Sequence, residues 1–282
     1  MYPRLIYVES LKFFGHDFGT FTLHTYGVML ALAFFAGFCI ALINARREGI
    51  PADRIFDIFF YIVISGLLGA KLLHLIVEWR HYSQNPGEIL FALFRLGGVY
   101  YGGLILAIAV SFFFLWRWKL SIWAMSDYLA PGLALGLSIA RWGCFFAGCC
   151  FGKACNLPWA IVYTDKYTNQ SVGTPLGYKL HPAPIYESIA AFTIFVILMI
   201  VVRKRSFDGE TISLFLILNG IERFLIEFLR ADERGYVFNG LLTTSQLVSL
   251  CIIPLGIILF IILMKRGKSL PGKMKAPGGK AK

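Results

Sequence analysis

Four polar residues stand on one stripe of an otherwise apolar stretch: Asn219, Arg223, Glu227 and Arg230, spaced i, i+4, i+8 and i+11. In a helix that spacing stacks the side chains on a single face. Arg223 and Glu227 are placed to pair, which leaves Arg230 as surplus positive charge. Another arginine, Arg141, ends a second apolar stretch in Ser138-Ile139-Ala140-Arg141-Trp142-Gly143. Two or three guanidinium groups converging at one depth make a bidentate clamp for a phosphate, a geometry that a lysine point charge does not reproduce. The plainer readings are a self-neutralising ion-pair ladder for the stripe, and snorkelling to the headgroup region for an arginine near a helix end.

Other candidates flank these arginines. His24-Thr25-Tyr26-Gly27 opens the first apolar run, and Gly97-Gly98-Val99-Tyr100-Tyr101-Gly102-Gly103 opens the third. Glycines there remove side-chain bulk, so that backbone or ligand approaches closely; anchoring in an interfacial aromatic belt explains either tyrosine alone. His181-Pro182-Ala183-Pro184-Ile185-Tyr186-Glu187 leads into the fifth run. Its prolines suit a helix start, and Glu187 suits a first turn. Four of the six cysteines cluster as Cys144-x4-Cys149-Cys150-x4-Cys155. Zinc sites usually begin with closer spacings, so a disulfide or plain packing is expected there and no metal site. Cys39 and Cys251 lie inside apolar runs and are expected to pack.

The elements that must position these residues are membrane helices. The chain has 282 residues, 57% apolar and 15% charged, with 26 Phe, whereas a soluble domain carries about 25% charged residues. Apolar runs fall at about 22–43, 55–77, 98–116, 122–141, 184–202, 211–229 and 242–264, each near the ~20 residues that cross a hydrocarbon core. The expected fold is an all-α polytopic membrane protein with seven transmembrane helices. Residues 1–21 form an extracytoplasmic N-terminal segment, 22–265 the membrane domain with a small extracytoplasmic subdomain at 142–182, and 266–282 a basic, disordered cytoplasmic tail. Basic clusters follow every odd run. One side carries 15 of the 27 basic residues, the other nine, and Lys71, Arg141 and Arg223 lie within runs. The positive-inside rule then puts the N-terminus outside and the C-terminus in the cytoplasm. Basic residues arranged this way do not form a nucleic-acid face. The first span is expected to serve as the insertion signal, because the stretch before it is mixed and aromatic-rich instead of short and basic.

Taken in order, His24 to Gly27, the Tyr-Gly-Gly opening of the third run, Ser126-Asp127-Tyr128-Leu129-Ala130-Pro131 and Arg141-Trp142-Gly143-Cys144-Phe145 form a pattern. It continues with His181-Pro182, Ile185-Tyr186-Glu187 and Arg223 followed by Glu227-Phe228-Leu229-Arg230. Over about residues 20–265 the chain resembles the bacterial prolipoprotein diacylglyceryl transferase family. The resemblance implies transfer of the diacylglyceryl group of phosphatidylglycerol to the lipobox cysteine of a preprolipoprotein at the cell inner membrane, with release of glycerol 1-phosphate and no cofactor. It implies that Tyr26, Arg141, Arg223, Glu227 and Arg230 bind substrate or act in catalysis. The expected catalytic set is Arg141, Arg223, Tyr26 and Tyr101. The expected substrate contacts are His24, Gly102, Gly103, Asp127, Cys144, His181, Tyr186, Glu187, Glu227 and Arg230. The sequence departs from the family pattern at four places: Tyr101 stands where the family often has His, Cys144 where Asn is usual, Cys149 at an acidic position and Pro184 at a Gln.

In that chemistry a thiolate displaces a phosphodiester at a glyceryl carbon, and Arg141 and Arg223 stabilise the developing charge. A thiol titrates near 8.5, and Tyr101, near 10, is a weak base, so His24 or His181 is an alternative. Two rivals stand beside this reading: a phospholipid-dependent transferase with another acceptor, and an anion transporter using the same arginines as a path. A transporter needs polar residues through the full depth, whereas these gather in the outer half. Reporter fusions to the C-terminus are expected to be active only as cytoplasmic reporters; activity only outside the membrane would move every candidate residue to the opposite leaflet.

Overall fold

The computed structural model describes residues 3–8, 12–13, 16–17, 21–84, 87, 89, 98–232, 235–237 and 240–267. The basic tail expected at 266–282 lies outside them beyond Gly267, as does part of the N-terminal segment. The chain is a mostly helical membrane protein. Among the described residues, five helices are long and apolar enough to cross a membrane: α1 (Thr25–Arg47), α2 (Ala52–Val77), α5 (Ile122–Ala147), α7 (Ala183–Lys204) and α9 (Thr244–Arg266). Two apolar runs form shorter helices, α4 (Tyr100–Arg117) and α8 (Glu210–Ile226), and a six-residue helix α3 (Trp79–Gln84) follows α2. Phe35, Ile76, Ile105 and Trp116 are each more than 60% exposed, the surface that hydrocarbon covers in a membrane.

Two boundaries differ from the sequence expectation. The first helix starts at Thr25 because 21–24 is a strand, β4 (Phe21–His24), paired antiparallel with β1 (Arg4–Val8); two further two-residue strands, β2 (Lys12–Phe13) and β3 (His16–Asp17), pair between them. The fourth run continues to Ala147 instead of ending near 141, so Arg141 and Cys144 sit on a helix and not at the lip of a loop. The connection after it holds β5 (Ile161–Val162), paired with β6 (Lys179–Leu180), and the short helix α6 (Lys166–Val172), capped by the Asp165 side chain.

The chain divides into two units. In the unit spanning 42–125, α2 and α4 pack backbone to backbone. A Cβ placed on Gly102 would lie 2.3 Å from the Gly69 carbonyl oxygen, and one on Gly103 2.6 Å from that of Gly66. Small residues allow this approach, as in other membrane helix pairs. At Gly102 and Gly103, expected to contact substrate, the facing helix backbone takes up the space that a Cβ would fill. Tyr61 stacks on Phe114 at 4.0 Å and Arg54 lies over the Trp118 ring at 4.8 Å.

The other unit, 1–41 with 126–282, carries the candidate site. Its core gathers Ala130 and Ala134 of α5, Ile194 and Leu198 of α7, and Phe215 of α8. Two polar fasteners fix the helices. At one end of α5, the fully buried Asp127 accepts from Gly209 N at 2.7 Å and Ile212 N at 2.9 Å, capping α8, and pairs with Arg205 at 3.3 Å. Arg205 also donates to Tyr128 Oη at 2.7 Å. Towards the other end, Ser138 Oγ donates to Ser188 O and Ser188 Oγ to Ser138 O, both at 2.9 Å, clasping α5 to α7.

Gly102→Ala is expected to cost about 1–3 kcal/mol, the penalty of overpacking a tight contact. Gly66→Ala, whose Cβ would meet nothing within 4 Å, should be neutral or slightly stabilising; denaturation of the two purified variants in one detergent compares them.

Candidate functional site

Glu187 lies one turn into α7, next to the Ser188 clasp, and is 2% exposed. Three guanidinium groups meet its carboxylate. Arg141 Nε reaches Oε2 at 2.5 Å, Arg223 Nη1 reaches Oε1 at 3.1 Å, and Arg230 Nη1 donates to the same Oε1. A helix first turn therefore does not explain Glu187; it is the hub of the arginine cluster. Arg141 stands one turn beyond Ser138, so the serine clasp sets the distance between Arg141 and Glu187. The α8 stripe delivers Arg223 and Glu227, whose Oε2 lies 3.2 Å from Arg223 Nη2 as an i, i+4 ion pair. Past Ile226 a single 3₁₀ turn, Glu227–Leu229, turns Arg230 inward.

Three groups that sequence reasoning did not single out complete the cluster. Asp232 grips Arg230 bidentately, Oδ1 from Nε and Oδ2 from Nη2, both at 2.8 Å. Ser245 accepts from Arg223 Nη2 at 3.3 Å, held there because Thr243 and Gln246 form a reciprocal cap at the start of α9. Glu222 lines a cavity of about 60 Å³ with Leu137, Arg141, Glu187, Ala191, Asn219 and Arg223. The rule that picked Arg223, an ionisable side chain in an apolar run, applies equally to its neighbour Glu222. Asp232, two residues past Arg230, was within reach of a search for acidic partners; Ser245 had no signal. Burial alone would lower the Arg230 pKa, but the Asp232 hydrogen bonds and the Glu187 charge outweigh it and push the value above that of a free guanidinium.

A second cluster adjoins the first. α5 ends at Ala147, where Gly148 takes φ +78° and its N–H bonds back to Phe145 O at 3.2 Å, a common helix stop. The chain doubles back so that the sulfurs of Cys144, Cys149 and Cys150 lie within 4.8 Å of one another. None of the three forms a disulfide. Arg141 Nη1 lies 3.9 Å from Cys144 Sγ. Hydrogen bonds with Cys144 and Cys149, then the charge of Arg230, pull the Cys150 thiol below its ordinary range. Burial, then the nearby sulfurs, pushes the Tyr163 phenol above its usual value. A short bridge, Gly152 opposite Arg230, ties this loop to the arginine cluster.

The remaining predicted residues fall in different places. Tyr26 is 42% exposed and its ring edge packs at Gly143, two residues from Arg141 and next to the cysteines. His24 bonds Tyr167 Oη at 3.0 Å. Tyr186 Oη accepts from Trp159 Nε1 at 2.7 Å and lies 3.4 Å from His181 Nδ1. Asp127 stands fourteen residues from Arg141 on α5, about 21 Å along the axis. Its carboxylate is taken up by the α8 cap and by Arg205. Tyr101 belongs to the other unit and is 60% exposed.

The sequence profile described as prolipoprotein diacylglyceryl transferase matches residues 15–262, most of the chain. The chain belongs to the prolipoprotein diacylglyceryl transferase family. Among its relatives in the family, a phosphatidylglycerol–prolipoprotein diacylglyceryl transferase of Finegoldia magna is 37% identical over 243 residues, 86% of this chain and 91% of the relative. The protein of that name from Clostridium tetani is 35% identical over 260 residues, covering 92% and 97%. A Clostridium perfringens protein named as transferase 2 is 34% identical over 262 residues, covering 92% and 98%. The arginine cluster, the serine clasp and the three-cysteine turn all lie inside the matched span.

Glu187→Gln is expected to destabilise this transferase-family protein by about 3–5 kcal/mol, the cost of removing one partner from a buried ion pair. Added anionic phospholipid should return part of the loss by binding the uncompensated guanidinium groups. Unchanged denaturation midpoints without lipid would show that the carboxylate does not hold the cluster.

Proposed function

We propose that this protein transfers the diacylglyceryl group of phosphatidylglycerol to the lipobox cysteine thiol of preprolipoproteins and releases glycerol 1-phosphate. The observation that carries the proposal is the convergence of Arg141, Arg223 and Arg230 on one buried carboxylate beside a cavity, in a chain whose relatives bear that activity in their names. The reaction makes a C–S bond and breaks a C–O bond to phosphate, so charge develops on the leaving phosphodiester. Arg141 and Arg223, which border the cavity, stabilise that charge, and preorganised donors of this kind lower barriers most in a water-poor site. Arg230, clamped by Asp232, holds Glu187 and sets the field from behind. The phosphate competes with Glu187 for guanidinium donors, and Glu227 takes up the balance on Arg223.

We place seven spans in the bacterial inner membrane, α4 and α8 included, with the N-terminus outside and the arginine cluster towards the outer leaflet. The 17 residues of α8 rise about 26 Å, and the 3₁₀ turn extends that reach. Lipid chemistry suits this arrangement better than conduction, because the other buried charge group among the described residues, Asp127 and Asp208 with Arg205, sits at a helix cap.

The proposal is tested by incubating the protein with radiolabelled phosphatidylglycerol and a lipobox peptide and following label into the peptide. Transfer to a Cys peptide and none to a Ser peptide is expected; absence of transfer in an intact, lipid-reconstituted protein would refute it. Arg141→Ala and Arg223→Ala should each lower kcat by about 10²–10³-fold. The Lys variants should also be poor, since the fork is lost; full activity in Lys variants would reduce these residues to generic charge. Tyr101→Phe is expected to be nearly silent, and a large loss rescued by Tyr101→His with a lower pH optimum would make this position the base.

A further inference from the structure

The three-cysteine turn is not used by any step above, although it touches Arg141, which borders the cavity, and Arg230 behind it. Its sulfurs all lie within 4.8 Å of one another. Tetrahedral zinc holds thiolates at about 2.3 Å, so its sulfurs stand about 3.8 Å apart, a distance that side-chain rotation supplies from this arrangement. The backbone is set for it. Cys150 is a non-glycine residue at φ +61°, a conformation that costs energy and is kept where something requires it. Beside the sulfurs lies Tyr163, 1% exposed, whose hydroxyl has no hydrogen-bond partner among the described residues. The charged neighbours of that hydroxyl are the three cysteines.

We propose that Cys144, Cys149 and Cys150 bind one zinc ion whose open fourth position receives the acceptor thiol. The ligand count is that of a catalytic zinc site, three protein donors and one exchangeable position. The charges also match. Three thiolates on a divalent ion leave a net charge of about −1, and Arg141 stands 3.9 Å from Cys144 Sγ while Arg230 bonds Cys150. Tyr163 Oη, unpartnered among the described residues and beside the sulfurs, is available to the second layer that tunes such ions. The fourth Cys of the sequence cluster, Cys155, is not part of the group; its N–H bonds Lys179 O, which anchors it on the β6 side.

The identity of the acceptor rests on the transferase reading; the metal site does not. In the reaction, the acceptor thiol gives its proton to solvent on binding, because a coordinating thiol is deprotonated. Its sulfur then attacks the glyceryl carbon: the C–S bond forms, the C–O bond to phosphate breaks, and the electron pair leaves with glycerol 1-phosphate. The ion changes neither charge nor ligands from the protein. This supplies a thiolate in a chain that has Tyr101, and not an imidazole, before its paired glycines, and it holds that thiolate next to Arg141, which reaches both clusters.

The test uses the full chain, purified reduced and without oxygen in detergent. Elemental analysis is expected to find one zinc ion per chain, lost in Cys149→Ser and Cys150→Ser and kept in Cys155→Ser. With Co²⁺ in place of zinc, thiolate-to-cobalt absorption should appear. Its visible bands should shift on adding a lipobox peptide with Cys, and not with Ser. Chelated, zinc-free wild type, which avoids any folding defect of the variants, should lose about 10²-fold in transfer rate and regain it with zinc. A reduced wild type that takes up no zinc, or retains it in the Cys149→Ser/Cys150→Ser double variant, overturns the site. So does a disulfide joining two of the three sulfurs in zinc-free isolated protein. Undiminished transfer by zinc-free protein overturns the activation and leaves the transferase reading standing. Zinc binding with a peptide-dependent cobalt shift but no transfer from phosphatidylglycerol leaves the metal site standing and removes the transferase reading.

Discussion

One carboxylate holds the arginines in place. With Glu187 removed, Arg141, Arg223 and Arg230 would face one another across a few ångströms in a buried setting, where like charges repel far more strongly than in water. With it present, each guanidinium has a fixed partner and direction. Much of the surrounding architecture serves that carboxylate. The serine clasp sets α5 against α7 next to it, the Thr243–Gln246 cap brings Ser245 to Arg223, and the 3₁₀ turn with Asp232 points Arg230 inward. An ion cluster of this kind adds little to stability compared with apolar packing. Its value lies in holding donors ready for an anion.

On the proposed reading, readiness is what the reaction needs. A phosphodiester in the outer leaflet enters without having to reorganise donors, since the forks are already aimed at a carboxylate of similar charge. The cost is competition, because the lipid must displace Glu187 from at least one fork. Asp232 and Glu227 reduce that cost by retaining their own contacts with Arg230 and Arg223 while the exchange occurs.

The stripe Asn219, Arg223, Glu227 and Arg230 and the terminal Arg141 were legible from sequence because ions are rare in apolar runs and helical spacing is regular. The pairing of Arg223 with Glu227 followed from that spacing. The role of Glu187 did not, because its position near prolines looked like a helix start and its three partners come from other elements. The cap made by Asp127 was hidden for a related reason. It lies in a family motif, yet its fully buried carboxylate caps another helix. Spacing was read against a metal site at these cysteines, and it did not show that the three sulfurs meet. The helix stop at Gly148 and the positive φ of Cys150 bring Cys149 and Cys150 back onto the last turn. Backbone reversals of that kind are invisible to ligand spacing. α8 stands outside the five long apolar helices because it is short and carries the very polar residues that lower its hydropathy.

The central claim is that the guanidinium groups gathered by Glu187 grip the phosphate of phosphatidylglycerol. Solid-state NMR can measure it directly, as dipolar coupling between the lipid phosphorus and ¹⁵N-labelled arginine side chains in reconstituted protein. The account predicts phosphorus–nitrogen distances of about 4 Å, as an N–H···O contact near 2.8 Å requires, lost together in Arg141→Lys and Arg223→Lys. Coupling that is absent in the wild type, or unchanged in both variants, would contradict it.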